Sequence, residues 1–173
     1  MIENDYIASV KNQFTQYKNL GEKAIEQVPD EKIYWQYNPE TNSIAIIVKH
    51  LAGNMLSRFT DFFTSDGEKK WRNRDGEFEN EIMRREKLMT LWNEGWDCLF
   101  NVLNSLSSED LEKKVLIRNE EHTVMEAINR QLTHYASHIG QIIFIAKMVA
   151  DTQWKTLSIP RRSSREIDIK KGL

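Results

Sequence analysis

Apolar residues recur along this chain at three- and four-residue steps in four long stretches, the spacing of amphipathic helices. In the first, from about Asp5 to Gln27, Tyr6, Val10, Phe14, Tyr17, Leu20 (or Gly21), Ala24 and Val28 mark one face, and Pro29 ends it. Ser43 is placed to cap a second helix reaching about Thr64, whose apolar side carries Ile44, Ile47, Val48, Leu51, Met55, Phe59 and Phe62. A third helix is predicted from about Glu79 to Leu106, with Ile82, Leu88, Leu91, Trp92, Leu99 and Leu103 among its apolar positions. The fourth has the clearest start: Thr123 and Glu126 in "TVME" fit a capping box, and the pattern runs to about Ala150. "KKVLIRNEEHTV" before it suggests a brief extended segment or irregular hairpin. Four long helices imply an all-α four-helix bundle.

Between the second and third helices lies the long connector "TSDGEKKWRNRDGEF". A connection of that length inside a compact domain is either disordered or functional. Trp71 in its middle, a residue of buried type, argues for order. At the other end, "DTQWKTLSIPRRSSREIDIKKGL" has little periodicity. Trp154 and Leu157 are expected to pack partly. The chain therefore divides into a bundle domain over 1–160 and a basic tail over 161–173, where Arg161, Arg162 and Arg165 are read as solvated.

Composition narrows the function classes. The 173 residues are 40% hydrophobic and 29% charged with a formal net charge of −2, so nothing favours broad capture of nucleic acid. A single cysteine, Cys98, excludes an internal disulfide and suits a reducing compartment, where it reads as a buried structural thiol. The N-terminus "MIENDYIASVKNQ" lacks the apolar core of a signal peptide, and no apolar run is long enough to span a bilayer. The expectation is a cytoplasmic protein with no membrane and no nucleic-acid partner.

Chemistry concentrates in the histidines, of which there are four. His134 and His138 in "QLTHYASHIGQI" stand i, i+4 on the fourth helix, at or beside its inward face when residues are laid out at about 100° each. "HYASH" lacks the Glu of HExxH, so the general base of a metalloprotease is absent from that motif. His50 in "IIVKHLAGNMLSRFTDFF" aligns with Asn54, Ser57 and Asp61 as a polar row beside the apolar stripe of the second helix. Such a row is costly unless its members are paired or bound to something. One imidazole from that helix and two from the fourth can meet across neighbouring helices, and three imidazoles with open positions describe a catalytic divalent site. His122, one residue before the last helix cap, is read as non-ligating.

These segments, "IVKHLAGNMLSRF", "DGEKKWRNRDGEFE" and "LTHYASHIGQIIFIAK", resemble the DinB-like family of bacterial four-helix-bundle metalloproteins over about residues 5 to 160, closest to a branch with no settled function. The resemblance implies a divalent metal, commonly zinc or nickel, held by His50, His134 and His138 with water completing the shell, and a homodimer. It also implies chemistry like that of the family's low-molecular-weight thiol transferases, which use bacillithiol, mycothiol or glutathione, and of its thiol-dependent isomerase. The reading is thus a metal-dependent enzyme acting on a small molecule, as a transferase of a small thiol. A metal-dependent hydrolase and a non-catalytic metal-stabilised interaction or stress-response protein are the alternatives. Asn54, Arg58 and Arg72 are assigned to the substrate's charged part, Arg being suited to carboxylate or phosphate. The competing role for the connector arginines is an ion-pair network with Asp75, Glu77 and Glu79.

Overall fold

The computed structural model describes residues 2–160, with side chains from residue 5 onward. It is mostly helical: α1 (Ile2–Ile25), α2 (Ile44–Phe59), the single turn α3 (Arg74–Glu77), α4 (Arg85–Ser105) and α5 (Val124–Ala150), with a hairpin of β1 (Lys114–Ile117) and β2 (Glu120–Thr123) before α5. The basic cluster Arg161, Arg162 and Arg165 lies outside the described residues. Among the described residues no helix is long and apolar enough to cross a membrane.

The four long helices pack pairwise, α1 on α5 and α2 on α4, with further contacts joining α2 to α5 and α1 to α4. A core fills the space between them, with Phe14, Leu51, Met55, Trp92, Trp96, Tyr135 and Ile139 buried at its centre. Aromatic rings mesh there edge to face: Trp96 lies 6.3 Å from Phe14, 5.5 Å from Trp92 and 6.0 Å from Tyr135. α2 is the innermost helix; apart from Lys49, Gly53 and Leu56, all its residues are buried. Its polar residues are therefore enclosed on most sides.

Caps act where the sequence places them. The Ser43 hydroxyl accepts from the Ile46 N–H at 3.2 Å, and Thr123 and Glu126 exchange hydrogen bonds in a capping box that starts α5. The extended segment before α5 is an antiparallel hairpin pairing Lys114 with Thr123 through Ile117 with Glu120. Its two-residue turn, Arg118 and Asn119, has φ of 57° and 63°, the handedness that matches strand twist. Trp154 and Leu157 pack partly against the core.

Three elements differ from the sequence expectation. The third long helix begins at Arg85, not Glu79. Residues 79–84 instead form an extended strap: the Asn80 amide donates to the Tyr34 carbonyl and to Gln36 Oε1, and the Met83 N–H donates to the Tyr34 hydroxyl. Ile82 is consequently 85% exposed. α2 stops at Phe59 rather than near Thr64, because Thr60 is extended and Asp61 turns at φ 50°. The connector is ordered, yet Trp71 is not what anchors it, being 59% exposed. Buried polar side chains of α2 hold it instead: Ser57 Oγ donates to the Gly67 carbonyl at 2.7 Å and accepts from the Lys69 N–H at 3.1 Å.

Gly95 sets the spacing of α4 and α2. A Cβ there would come within 2.9 Å of the Ala52 Cα, a backbone atom that can retreat only if the helices part. Gly140 on α5 faces open space instead. Gly140→Ala is expected to raise unfolding free energy by about 0.5–1 kcal/mol through helix propensity, whereas in Gly95→Ala the overpacking cancels or reverses that gain. Chemical denaturation of both variants checks this, and equal stabilisation by the two would contradict the close packing.

Candidate metal centre

Three imidazoles meet where α2 faces α5. The i, i+4 spacing brings His134 and His138 onto one face of α5, with their Nε2 atoms 3.1 Å apart. From α2, His50 directs its own Nε2 to 3.2 Å from that of His134. The donor atoms of the three residues all lie within 4.8 Å of one another, so the cluster can hold a metal ion.

The second nitrogen of His50 explains how its ring is aimed. His50 Nδ1 lies 3.0 Å from Glu77 Oε2, and the two side chains are almost fully buried. A carboxylate only accepts, so Nδ1 carries the proton and the Nε2 lone pair points into the cluster. Arg72 grips the same carboxylate with Nε at 2.7 Å from Oε1 and Nη2 at 2.8 Å from Oε2, a two-pronged bond. Burial alone would raise the Glu77 carboxyl, but the hydrogen bonds from His50 and Arg72 and the Arg72 charge hold it below its ordinary value. Gly53 makes room: a Cβ at that position would lie 2.2 Å from Glu77 Oε1.

The donor set fits a divalent ion on chemical grounds. With the His50 proton on Nδ1, a proton on His134 Nε2 can be directed at one neighbouring Nε2 only, so one of the two short N···N contacts always lacks a well-aligned hydrogen bond. A shared cation would resolve both, and nitrogens 3.1–3.2 Å apart suit donors about 2.0–2.1 Å from a common centre. Adding a proton is no remedy. Burial first, then the neighbouring His138 and His50, lower the His134 pKa to about 3, and burial likewise lowers that of His138. His138 Nδ1 is buried without a hydrogen-bond partner.

Beside the cluster is a cavity of about 260 Å³ walled by His50, His134, Asn54, Gln131 and five arginines: Arg58, Arg72, Arg74, Arg118 and Arg130. A larger groove, about 540 Å³, runs between Trp35, Tyr37, Phe144 and Met148 but is lined by none of the histidines. The sequence-assigned Asn54, Arg58 and Arg72 all line the histidine cavity, each already engaged by protein. Asn54 Oδ1 accepts from the buried Tyr135 hydroxyl at 2.9 Å. Arg58 donates through Nη1 to the Gly67 carbonyl and through Nη2 to Glu68 at 3.2 Å. Arg72 is held by Glu77, the one ion pair of the expected connector network with Asp75, Glu77 and Glu79 that forms among the described residues.

Sequence reasoning did not find Glu77 as the partner of His50, nor the contributions of Arg118, Arg130 and Gln131. Arg130 and Gln131 precede His134 by four and three residues, one helical turn, a spacing that flags them in retrospect. Arg118 gave no such signal, since the hairpin turn brings it in. His122, on β2, is outside the cluster, with Nε2 4.0 Å from Glu120 Oε2. Cys98 is half-buried, its thiol pushed up by burial and 3.7 Å from the Thr60 hydroxyl, remote in role from the histidines.

The chain belongs to a family of proteins of unknown function, DUF1572, whose model matches residues 1–163. No curated protein matches it.

The histidine cluster has a pH signature in metal-free protein. Because the folded-state pKa of His134 is about 3, below the ordinary imidazole value, the unfolded chain binds more protons between the two. Stability therefore rises with pH across that window and is lost as pH falls from about 6.5 toward 3. Glu77, also lowered, adds a loss of the same sign below the ordinary carboxylate range. Melting curves of chelator-treated wild type and His134→Gln from pH 7 downward should show a shallower fall in the variant; identical slopes would contradict the assignment.

Proposed function

We propose that this member of the DUF1572 family is a DinB-like four-helix-bundle metalloenzyme that transfers a small thiol. In this reading His50, His134 and His138 hold one divalent ion, zinc or nickel. The observation that carries the reading is the convergence of three imidazoles, with His134 Nε2 3.2 Å from that of His50 and 3.1 Å from that of His138, beside a cavity that His50 and His134 help to line. The pairwise packing of the four long helices supports the bundle architecture. The resemblance supplies the thiol and the homodimer, and the lone Cys98 supports a reducing cytoplasm.

A divalent ion bound there would act as a Lewis acid, lowering the pKa of a thiol or water at an open position. The chain's own groups do the rest. Glu77 orients His50 and fixes its tautomer, as carboxylates behind metal-bound histidines do. Phe78, its ring 5.0 Å from that of His50, covers the imidazole on the connector side. Tyr135 holds the Asn54 amide in a fixed orientation at the cavity wall. The arginines set a positive potential that favours thiolate over thiol.

Elemental analysis of untagged protein tests the metal. Wild type should carry about one equivalent of zinc or nickel, His138→Ala should lose it, and Glu77→Gln should bind it roughly 10–100-fold more weakly. No metal in wild type, with no change in Tm on adding either ion, would overturn the reading. Metal-loaded protein should accelerate conjugation of a low-molecular-weight thiol to a chloroarene electrophile. Ester or amide cleavage without thiol would favour the hydrolase instead.

A further inference from the structure

We propose that the cavity beside the histidines is a binding site for the carboxylate or phosphate group of a small molecule, with Arg74, Arg118 and Arg130 as its anion-binding side chains. No carboxylate lines this cavity, although five guanidinium groups do. Two of the five are neutralised from behind: Glu77 takes Arg72, and Glu68 takes Arg58. Arg118 shares that same Glu68 at 3.0 Å. Arg74 and Arg130 have no ion-pair partner among the described residues, and Arg74 is placed over the Phe78 ring at 5.3 Å. Two carboxylates thus face five guanidinium groups. Such a surplus is self-repelling when empty and complementary to an anion.

A second, independent feature points the same way. Arg58 is 5% exposed, yet its buried Nε, whose N–H can only donate, has no hydrogen-bond partner. Unsatisfied buried donors are rare, and this one belongs to a residue that walls the cavity. Three separate elements deliver the site: α3 carries Arg74, the hairpin turn carries Arg118, and α5 carries Arg130. The turn is fixed by the connector, since the Asp66 carboxylate accepts from the Arg118 N–H at 2.9 Å and the Asn119 N–H at 2.6 Å. Guanidinium groups meeting from three directions suit the planar or tetrahedral oxygens of carboxylate or phosphate. At about 260 Å³ the cavity takes a small molecule rather than a polymer.

Assigning this anion to the substrate of the enzyme rests on the metal-dependent reading above; the anion site itself does not. The test uses full-length protein, as purified and after chelation, titrated with inorganic phosphate or with succinate and followed by calorimetry and by the arginine Nε–Hε NMR signals. Saturable binding of at least one probe is expected in both preparations, with a Kd of the order of 1 mM. It should weaken at least tenfold in the double variant Arg74→Gln/Arg130→Gln, whose two side chains are exposed and whose Tm should be unchanged. His138→Ala should bind the probe as wild type does, which separates this site from any failure of the metal centre. Preference for phosphate or for succinate identifies the group recognised. No saturable binding of either probe, equal binding by the double variant, or binding lost only in His138→Ala would overturn the proposal.

Discussion

The Glu77 carboxylate, buried between α2 and the connector, accepts from His50 on one side and from both prongs of Arg72 on the other. Its position depends on a missing side chain, since any Cβ at Gly53 would occupy the space its Oε1 needs. Its charge decides the His50 tautomer, and so which nitrogen α2 presents to α5. Removing one member of a buried pair of this kind typically costs about 3–5 kcal/mol, because it leaves the other charge enclosed without a partner. One contact thus couples the course of the connector to the aim of a candidate metal donor.

The rest of the polar row on α2 follows the same logic. A helix enclosed on nearly all sides can carry polar groups only if each finds a partner. Ser57 finds Gly67 and Lys69, Arg58 finds Gly67 and Glu68, and Asn54 finds Tyr135. Most of these partners lie in the connector, which is therefore ordered by the groups it satisfies. The connector in turn holds the hairpin: Gly67 donates to the Leu116 carbonyl, and Asp66 caps the turn that carries Arg118. Residues distant in sequence reach the histidine cavity through this chain of hydrogen bonds.

Features set by local sequence were legible beforehand. The capping box and apolar period bounded α5 almost to the residue, and the i, i+4 pair on it needed no tertiary information to be brought together. Ser43 marked the start of α2, and the polar row from His50 correctly singled out that helix as the one facing the pair. Tertiary contacts hid the rest. Ile82 continued an apolar period into a strap that Tyr34 and Asn80 hold extended. Trp71 argued for order as a residue of buried type; the connector is ordered, yet Arg72 beside it turns inward toward Glu77 and the indole stays outside. Glu77 itself looked like one more connector charge, because its partner His50 is 27 residues away. Arg58 and Arg72, assigned to the substrate's charged part, line the histidine cavity and are also paired with Glu68 and Glu77, partners that helix periodicity does not reveal.

The central claim is that His50, His134 and His138 are donors to one ion. X-ray absorption at the metal edge of protein loaded with one equivalent of zinc addresses it directly. The account predicts a first shell containing three imidazole nitrogens at about 2.0–2.1 Å, with the imidazole scattering reduced in His50→Ala. A sulfur scatterer from Cys98, or an imidazole signal unchanged by that substitution, would contradict it.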